Sequence, residues 1–225
     1  MNYKVLVLGD GLLGSELVKQ TDWDFVSRKW GNFDINNLHL ISKGYNVIVN
    51  CIAHTDSYSK ERDTHMDVNV RFVRDLIKYC NKHNIKLIHI SSDFVYANNN
   101  FFAKEEDIPR CDNSWYAYSK VLADELIMLN SNDYLICRCS HKAKPFPYEK
   151  AWGNYYTNAD YVDVISELII KLINKGAIGI INVGTKAKTM LNLAKETKPN
   201  ILGTLRPPYV PENVTMDLNK LEKWI

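Results

Sequence analysis

Apolar runs of four or five residues recur along the chain and alternate with longer stretches in which apolar positions return every three or four residues. Lys4–Leu8 (KVLVL), Val47–Asn50 (VIVN), Lys86–Ser91 (KLIHIS), Tyr134–Cys139 (YLICRC) and Gly179–Val183 (GIINV) are short and almost continuously apolar. That is the pattern of strands covered on both faces, as in a parallel sheet. Asp24–Ser27 fits a further short strand at the second position. Between them, Asp63–Lys82 carries Val68, Phe72, Val73, Leu76 and Ile77 on one helical face, with Asn69 interrupting it. Asn69 is placed to hold a backbone group or a water near a site. Val162–Ile173 carries Val164, Ile165, Leu168, Ile169 and Leu172 in the same way. Further helices are expected after Gly14, over Asn36–Ser42 with Gly44 closing it, from Tyr116 onward, over Met190–Thr197 and over Asp217–Trp224. Tyr96–Asn113 reads as a polar loop, and Arg206–Pro211, with three prolines, as an extended one. His141–Tyr156 has no period and reads as an irregular lobe. Strands alternating with helices define an α/β fold, a doubly wound parallel sheet of Rossmann type. The division expected is a Rossmann domain over 1–140 and a small, shortened C-terminal substrate lobe over 141–225, interleaved with the last strand and helices of the core.

Composition changes this picture little. With 225 residues, 46% hydrophobic and 24% charged, the chain is an ordinary globular one, and its net charge of +2 gives no nucleic-acid footprint. No apolar run approaches the length of a membrane span, and Met1-Asn2-Tyr3-Lys4 leads straight into a strand, so neither a membrane partner nor a signal peptide is expected. Five scattered cysteines, two of them in the apolar run Cys137–Cys139, read as free buried thiols, which suits a reducing, cytoplasmic setting. A homodimer remains open.

Candidate chemistry enters at three places. After the first strand comes Gly9-Asp10-Gly11-Leu12-Leu13-Gly14 and then a helix. Strand, G-x-G-x-x-G and helix together form a dinucleotide cradle, in which glycines let the backbone approach a pyrophosphate at the helix N-terminus. After the second strand stand Ser27-Arg28-Lys29, two cations where an NAD site usually has an acid, which suits a 2′-phosphate and so NADP(H) over NAD(H). Cys51-Ile52-Ala53 leave the C-terminal end of the third strand, where ligands of open sheets bind. Third, Ser91-Ser92 ends the fourth strand, and Tyr116 and Lys120 follow on one face of the next helix. An ammonium beside a phenol favours its ionisation and makes it a better proton donor to a carbonyl that receives a hydride.

These motifs resemble the extended branch of the short-chain dehydrogenase/reductase superfamily, and within it the dTDP-4-dehydrorhamnose reductases. Val47–Glu61, His89–Tyr96, Tyr116–Leu126, Arg138-Cys139-Ser140 and Pro211-x-Asn213 with Leu218 are similar to that family's segments. The resemblance implies Tyr116 as proton donor, Lys120 as holder of the nicotinamide ribose that lowers the tyrosine's pKa, and Ser92 as polariser of the keto oxygen. It implies Gly9, Gly11, Leu12 and Leu13 around the pyrophosphate and Arg28 and Lys29 at the 2′-phosphate. Asp34 and Ile35 fall by the adenine, and Cys51, Ile52 and Ala53 along the inner cofactor edge. The implied cofactor is NADP(H), with NAD(H) also accepted, and the implied partner a nucleotide-sugar substrate. On the sugar side the chain departs from the family: Ser57-Tyr58 stand for Val-Asp, His141 for an aromatic, and the segment Ser140–Asn158 is short. Tyr58, His141 and Arg206 are the substrate candidates, Arg206 for the diphosphate. Two other readings stay open: an epimerase or dehydratase of the same superfamily, and a catalytically silent dinucleotide-binding regulatory subunit.

Overall fold

The structure, a computed structural model, describes residues 4–31, 33–41, 43–111 and 114–225. Its centre is a parallel sheet of six strands among the described residues: β1 (Val5–Leu8), β2 (Asp24–Val26), β3 (Val47–Asn50), β4 (Lys86–Ile90), β5 (Tyr134–Cys139) and, late in the chain, β10 (Gly179–Val183). The order across the sheet is β10-β5-β4-β3-β1-β2, so the winding reverses between β1 and β3. Loops leaving those two strands diverge to opposite faces and open a crevice at their C-terminal ends. This is the doubly wound fold that the apolar runs predict, with strand limits matching to within a residue.

The sheet is buried on both faces because its strands are apolar at successive positions. Val5, Val7, Val47, Val49, Leu135 and Cys137 meet α1 (Leu12–Lys19) and α5 (Val162–Asn174) on one side. Leu6, Leu8, Ile48, Leu87 and Ile136 meet Phe72, Leu76 and Ile77 of α3 (Phe72–His83) and Ile127 of α4 (Trp115–Asn130) on the other. The long helix expected over Asp63–Lys82 is a run of three parts: α2 (Arg62–Met66), a π turn over Asp67–Arg71, and α3. Asn69 lies in the π turn, which sets its side chain off the apolar stripe.

Some expectations are corrected. Asn36–Ser42 is not an α-helix; a 3-10 turn over Leu38–Leu40 is all that forms there among the described residues, and Ser42 lies outside them. With Asp34 and Asn36 bonded to each other, the segment is held as an Asx turn instead. The final helix shrinks to α7 (Asn219–Glu222), and Asp217 stands before it in a turn in which its carboxylate accepts the Asn219 N–H. Asp112 and Asn113 at the end of the polar loop, and Met1–Tyr3 before the first strand, lie outside the described residues.

The segment after Ser140 is more ordered than its sequence suggests. Short strands β6 (His141–Lys142), β7 (Lys150–Trp152), β8 (Tyr156–Thr157) and β9 (Asp160–Tyr161) pair in two- and three-residue ladders, β6 with β9. Later segments, β11 (Lys188–Thr189) and β12 (Leu202–Thr204), complete the pairs with β8 and β7. An apolar cluster of Phe146, Tyr155, Tyr161, Met190, Leu193 and Val214 fills the space beneath, with α6 (Met190–Lys195) on it. No helix among the described residues is long and apolar enough to cross a membrane.

Candidate functional site

At the C-terminal ends of β1, β3, β4 and β5 lies a cleft of about 1120 Å³. One end is floored by the glycine turn. Gly9 has φ +101, a conformation that side chains with a Cβ rarely adopt, and its N–H bonds the Val26 carbonyl at 2.9 Å. A Cβ on Gly14 would sit 2.1 Å from the Gly9 carbonyl oxygen, so only glycine lets α1 start this close to the sheet. At Gly11, which precedes α1, an added Cβ meets nothing within 4 Å. No side chain caps α1 and no acid stands in its first turn, among the described residues. Gly11, Leu12 and Leu13 therefore present uncapped backbone N–H groups to the cleft, a setting suited to the phosphates of a dinucleotide.

Cys51 and Ala53 line the same end, while Ile52 turns into the core beside it. Arg28 and Lys29 lie outside the cleft, exposed beyond β2, in a turn closed by Ser27, whose Oγ accepts from the N–H groups of Lys29 and Trp30. Asp34 is spent on its own turn and Ile35 packs on the core. The residues assigned to the cofactor thus form two groups, a cradle inside the cleft and a basic turn on the adjoining surface.

Ser92, Tyr116 and Lys120 come together in the cleft. Ser114 starts α4 as its N-cap, accepting from the Ala117 N–H, and its hydroxyl donates to the Ser57 carbonyl, so the helix is tied to the loop after β3. Tyr116 and Lys120 follow one turn apart. Ser92, two residues past the end of β4, caps a 3-10 turn, accepting from the Phe94 N–H at 3.2 Å. A hydrogen bond from Ser92 favours the Tyr116 phenolate, but burial and the nearby Asp93 outweigh it and hold the phenol's pKa above its ordinary value. The expected lowering by Lys120 is therefore not seen. The Lys120 amine is directed away from the phenol, to the Ile90 carbonyl at 2.7 Å and the His89 ring at 3.1 Å. Burial lowers the Lys120 pKa to about 8, against the pull of Asp124. Asp124 itself is held by Arg138 at 2.9 Å.

Asn69 does what its place on the helix suggested. Its side chain takes the His54 N–H at 2.8 Å, gives to the His54 carbonyl at 3.1 Å and gives to Ser119 Oγ at 2.9 Å. It joins the π turn, the loop after β3 and α4 into one frame behind Tyr116.

The far end of the cleft is aromatic. Tyr58 and His141 line it, with Phe94, Trp152 and Tyr155. Tyr58 meets Phe94 and Tyr209 edge to face, and Phe94 meets Tyr116. Burial holds the His141 imidazole down at about 4, so it is neutral at pH 7. Beside it, burial also lowers the Lys142 ammonium, with Asp93 opposing. Burial lifts the Asp93 carboxyl to about 6, and the Thr157 hydroxyl donates to it at 3.2 Å. Arg206 departs from expectation: its guanidinium donates to the Pro207 and Val210 carbonyls and reaches Glu212, closing its own loop outside the cleft.

Trp152 and Tyr155 fall in the Pro145–Tyr156 stretch whose aromatics were expected on the substrate side, whereas Lys142 and Thr157 were not foreseen, since nothing periodic marks them and their ladders join distant segments. His89 and Asn50 were read as strand residues, although a polar residue inside an otherwise apolar strand is a signal in itself. Among the described residues no group of three His, Cys, Asp or Glu is placed to hold a metal ion. The cysteines are free, Cys80, Cys137 and Cys139 buried, Cys51 partly so and Cys111 exposed.

The chain can now be set beside known proteins. A dTDP-4-dehydrorhamnose reductase of Aggregatibacter actinomycetemcomitans is 30% identical over 154 residues, 61% of this chain and 51% of that protein. The chain thus matches about half the length of this curated relative. The fold is shared with the dTDP-4-dehydrorhamnose reductase of Bacillus anthracis, solved in complex with NADP, at TM-score 0.85 and 21% identity over 99% of this chain and 92% of that one. A UDP-glucuronic acid 4-epimerase from Bacillus cereus, in complex with NAD, follows at TM-score 0.78 and 17% identity, covering 98% and 92%. A sequence-family model described as the RmlD substrate binding domain matches residues 3–142, which hold the glycine turn, Ser92, Tyr116 and Lys120. Since that match takes in more than half of the chain, the protein belongs to the RmlD substrate binding domain family.

Proposed function

We propose that the chain is an oxidoreductase, an NADPH-dependent reductase of a nucleotide-linked 4-keto-6-deoxyhexose of the dTDP- or UDP-4-dehydrorhamnose kind. The observation that carries this reading is the meeting of Ser92, Tyr116 and Lys120 in one cleft with the uncapped start of α1. Gly9, Gly11, Leu12 and Leu13 would hold the pyrophosphate, Arg28 and Lys29 the 2′-phosphate, and Lys120 the nicotinamide ribose. NAD(H) would be accepted less well. When bound, the reduced nicotinamide supplies the hydride to C4 of the sugar.

Ser92 hydrogen-bonds the keto oxygen and polarises the carbonyl. Tyr116 then gives its proton to the oxygen as negative charge develops there. A phenol with a raised pKa keeps its proton across the working range and releases it only as charge develops on the oxygen beside it. Asn69 and Ser114 fix the loop and helix that aim these groups. The aromatic end, with Tyr58 and neutral His141, would stack on and hydrogen-bond the sugar or base. The 141–225 segment would act as the substrate lobe.

The test is NADPH oxidation against a panel of dTDP- and UDP-linked 4-keto-6-deoxyhexoses. Stoichiometric consumption with at least one of them is expected. Conversion of a nucleotide sugar without net oxidation would mark an epimerase or dehydratase instead. NADPH binding without turnover on any of them would mark a regulatory subunit.

A further inference from the structure

Behind Lys120, away from the cleft, four polar groups form a chain that the mechanism above does not use. Asn50 and His89 are paired residues on adjacent strands, β3 and β4, and both are buried, as is Lys120. Asn50 Oδ1 accepts the Ile52 backbone N–H at 3.1 Å. Asn50 Nδ2 lies 3.2 Å from His89 Nδ1, and His89 Nε2 lies 3.1 Å from Lys120 Nζ. Lys120 Nζ also gives to the Ile90 carbonyl at 2.7 Å.

The direction of each bond follows from its neighbour. A backbone N–H can only donate, so the Asn50 oxygen must face Ile52 and the Asn50 amide N–H must face His89. His89 Nδ1 must then accept, and in a neutral imidazole the proton sits on Nε2. That N–H points at Lys120. An ammonium has no lone pair to receive it, whereas an uncharged amine has one. The Ile90 bond then uses one amine N–H and leaves the other for the cleft.

We propose that His89 is a positioning residue which, pinned by Asn50, donates its Nε2–H to the uncharged amine of Lys120 and so favours that form over the ammonium in the free protein. Charging Lys120 sets two donors face to face, at His89 or, if Asn50 turns over, at Ile52. Unmatched buried polar groups are costly, so the network opposes the charge. The groups that face Lys120 are His89 from β4, Cys51 after β3, Cys139 from β5 and Asp124 on its own helix, whose carboxylate Arg138 already engages. Burial acts in the same direction as His89. The catalytic consequence rests on the reductase reading: Lys120 would have to take a proton from solvent to act as an ammonium, and activity would fade as pH rises past the point where that proton is lost.

Asn50→Asp tests this with almost no change in shape. One carboxylate oxygen still accepts from Ile52, while the other now accepts from His89 Nδ1–H, which frees Nε2 to receive a Lys120 ammonium. The chain has six histidines, so nitrogen-15 histidine spectra are tractable, with His89 assigned by its loss in His89→Gln. At pH 9 the parent should show the Nε2–H tautomer at His89, and Asn50→Asp the Nδ1–H tautomer. The alkaline limb of kcat/KM should move up by about one unit in Asn50→Asp. An Nδ1–H tautomer or an imidazolium at His89 in the parent would overturn the proposal, as would an unchanged tautomer in a folded Asn50→Asp. Should Asn50→Asp fail to fold, the parent spectrum decides alone. The spectra need no substrate, so a failed reductase assay and a failed tautomer assignment are told apart.

Discussion

One wall of the cleft holds Ser92 and Lys120, and behind it Asn50 and His89 lie in parallel strands of four and five residues, against which Lys120 on a sixteen-residue helix locks. On the other wall, His141, Lys142 and Trp152 lie on strands of two or three residues that pair with partners far along the chain. The first wall takes its order from the sheet. The second takes it from a side cluster around Phe146 and Leu193. A ladder of two residues makes too few bonds to offset the ordering of its own backbone, so apolar burial must hold it. The family resemblance divides along the same line, close for the first wall and interrupted by Tyr58, His141 and the short Ser140–Asn158 segment on the second. On the reductase reading, chemistry would sit on the part of the molecule that cannot be changed cheaply, and selectivity on the part that can.

The largest effect expected is on the first wall. Tyr116→Phe removes one proton donor and no packing, so turnover should fall by about 10²–10⁴-fold while NADPH affinity stays within about twofold. Steady-state kinetics with a fluorescence titration of NADPH measures both. Near-parent turnover would show that this wall is only structural.

On the second wall, Phe146→Ala empties a fully buried site and should cost about 3–5 kcal/mol where the lobe is concerned. If the walls are as separate as their construction implies, KM for the nucleotide sugar rises while NADPH affinity holds. Hydrogen exchange should then quicken in 141–161 and 188–204 before it does in β1, β3 and β4. Uniform quickening throughout would break the comparison.

His141 gives that wall a pH signature of about 2 kcal/mol. The unfolded chain takes up a proton below ~6.5 that the buried imidazole, at about 4, refuses. Its stabilising contribution is therefore whole above ~6.5 and lost as pH falls toward 4, with about 2 kcal/mol gone by pH 5. Asp93, held up at about 6, shifts stability the opposite way. The measure is thus the difference between parent and His141→Gln in urea unfolding at pH 7.5 and pH 5, where the variant should lose less.

The smallest effect sharpens the cofactor end. Arg28→Ala with Lys29→Ala should cut the preference for NADPH over NADH by about tenfold, since both cations are exposed and screened. NADH affinity should hardly move. Equal affinities in the parent would remove the basis for a 2′-phosphate site.

Sequence patterning made the first wall legible because its parts are local. A strand, a glycine turn and a helix are contiguous, and Tyr116 and Lys120 are one helical turn apart. Asn69 could be singled out because it breaks an apolar stripe. What was illegible depends on contacts between distant segments, as in the pairing of Trp152 with Thr204, or on competition between local bonds. Asn36–Ser42 has helix-like spacing, but the Asp34–Asn36 turn takes the backbone first. Arg206 looked free for an anion because carbonyl partners supplied by its own loop leave no mark in composition. The direct effect of Lys120 on Tyr116 failed for a related reason, since i and i+4 neighbours share a face but need not share a hydrogen bond.

The π turn over Asp67–Arg71 carries one residue more than an α-helix would need for the same length. Everything before it, including α2 and the loop it holds, is therefore rotated by about 100° from the register that an unbroken helix would impose. Removing one residue there would restore a regular helix and swing Asn69 off the His54 backbone and Ser119. Length changes should therefore be forbidden in this helix. Across relatives of this chain, gaps should be missing from it, so that the reading frame of the helix is itself an inherited part of the site.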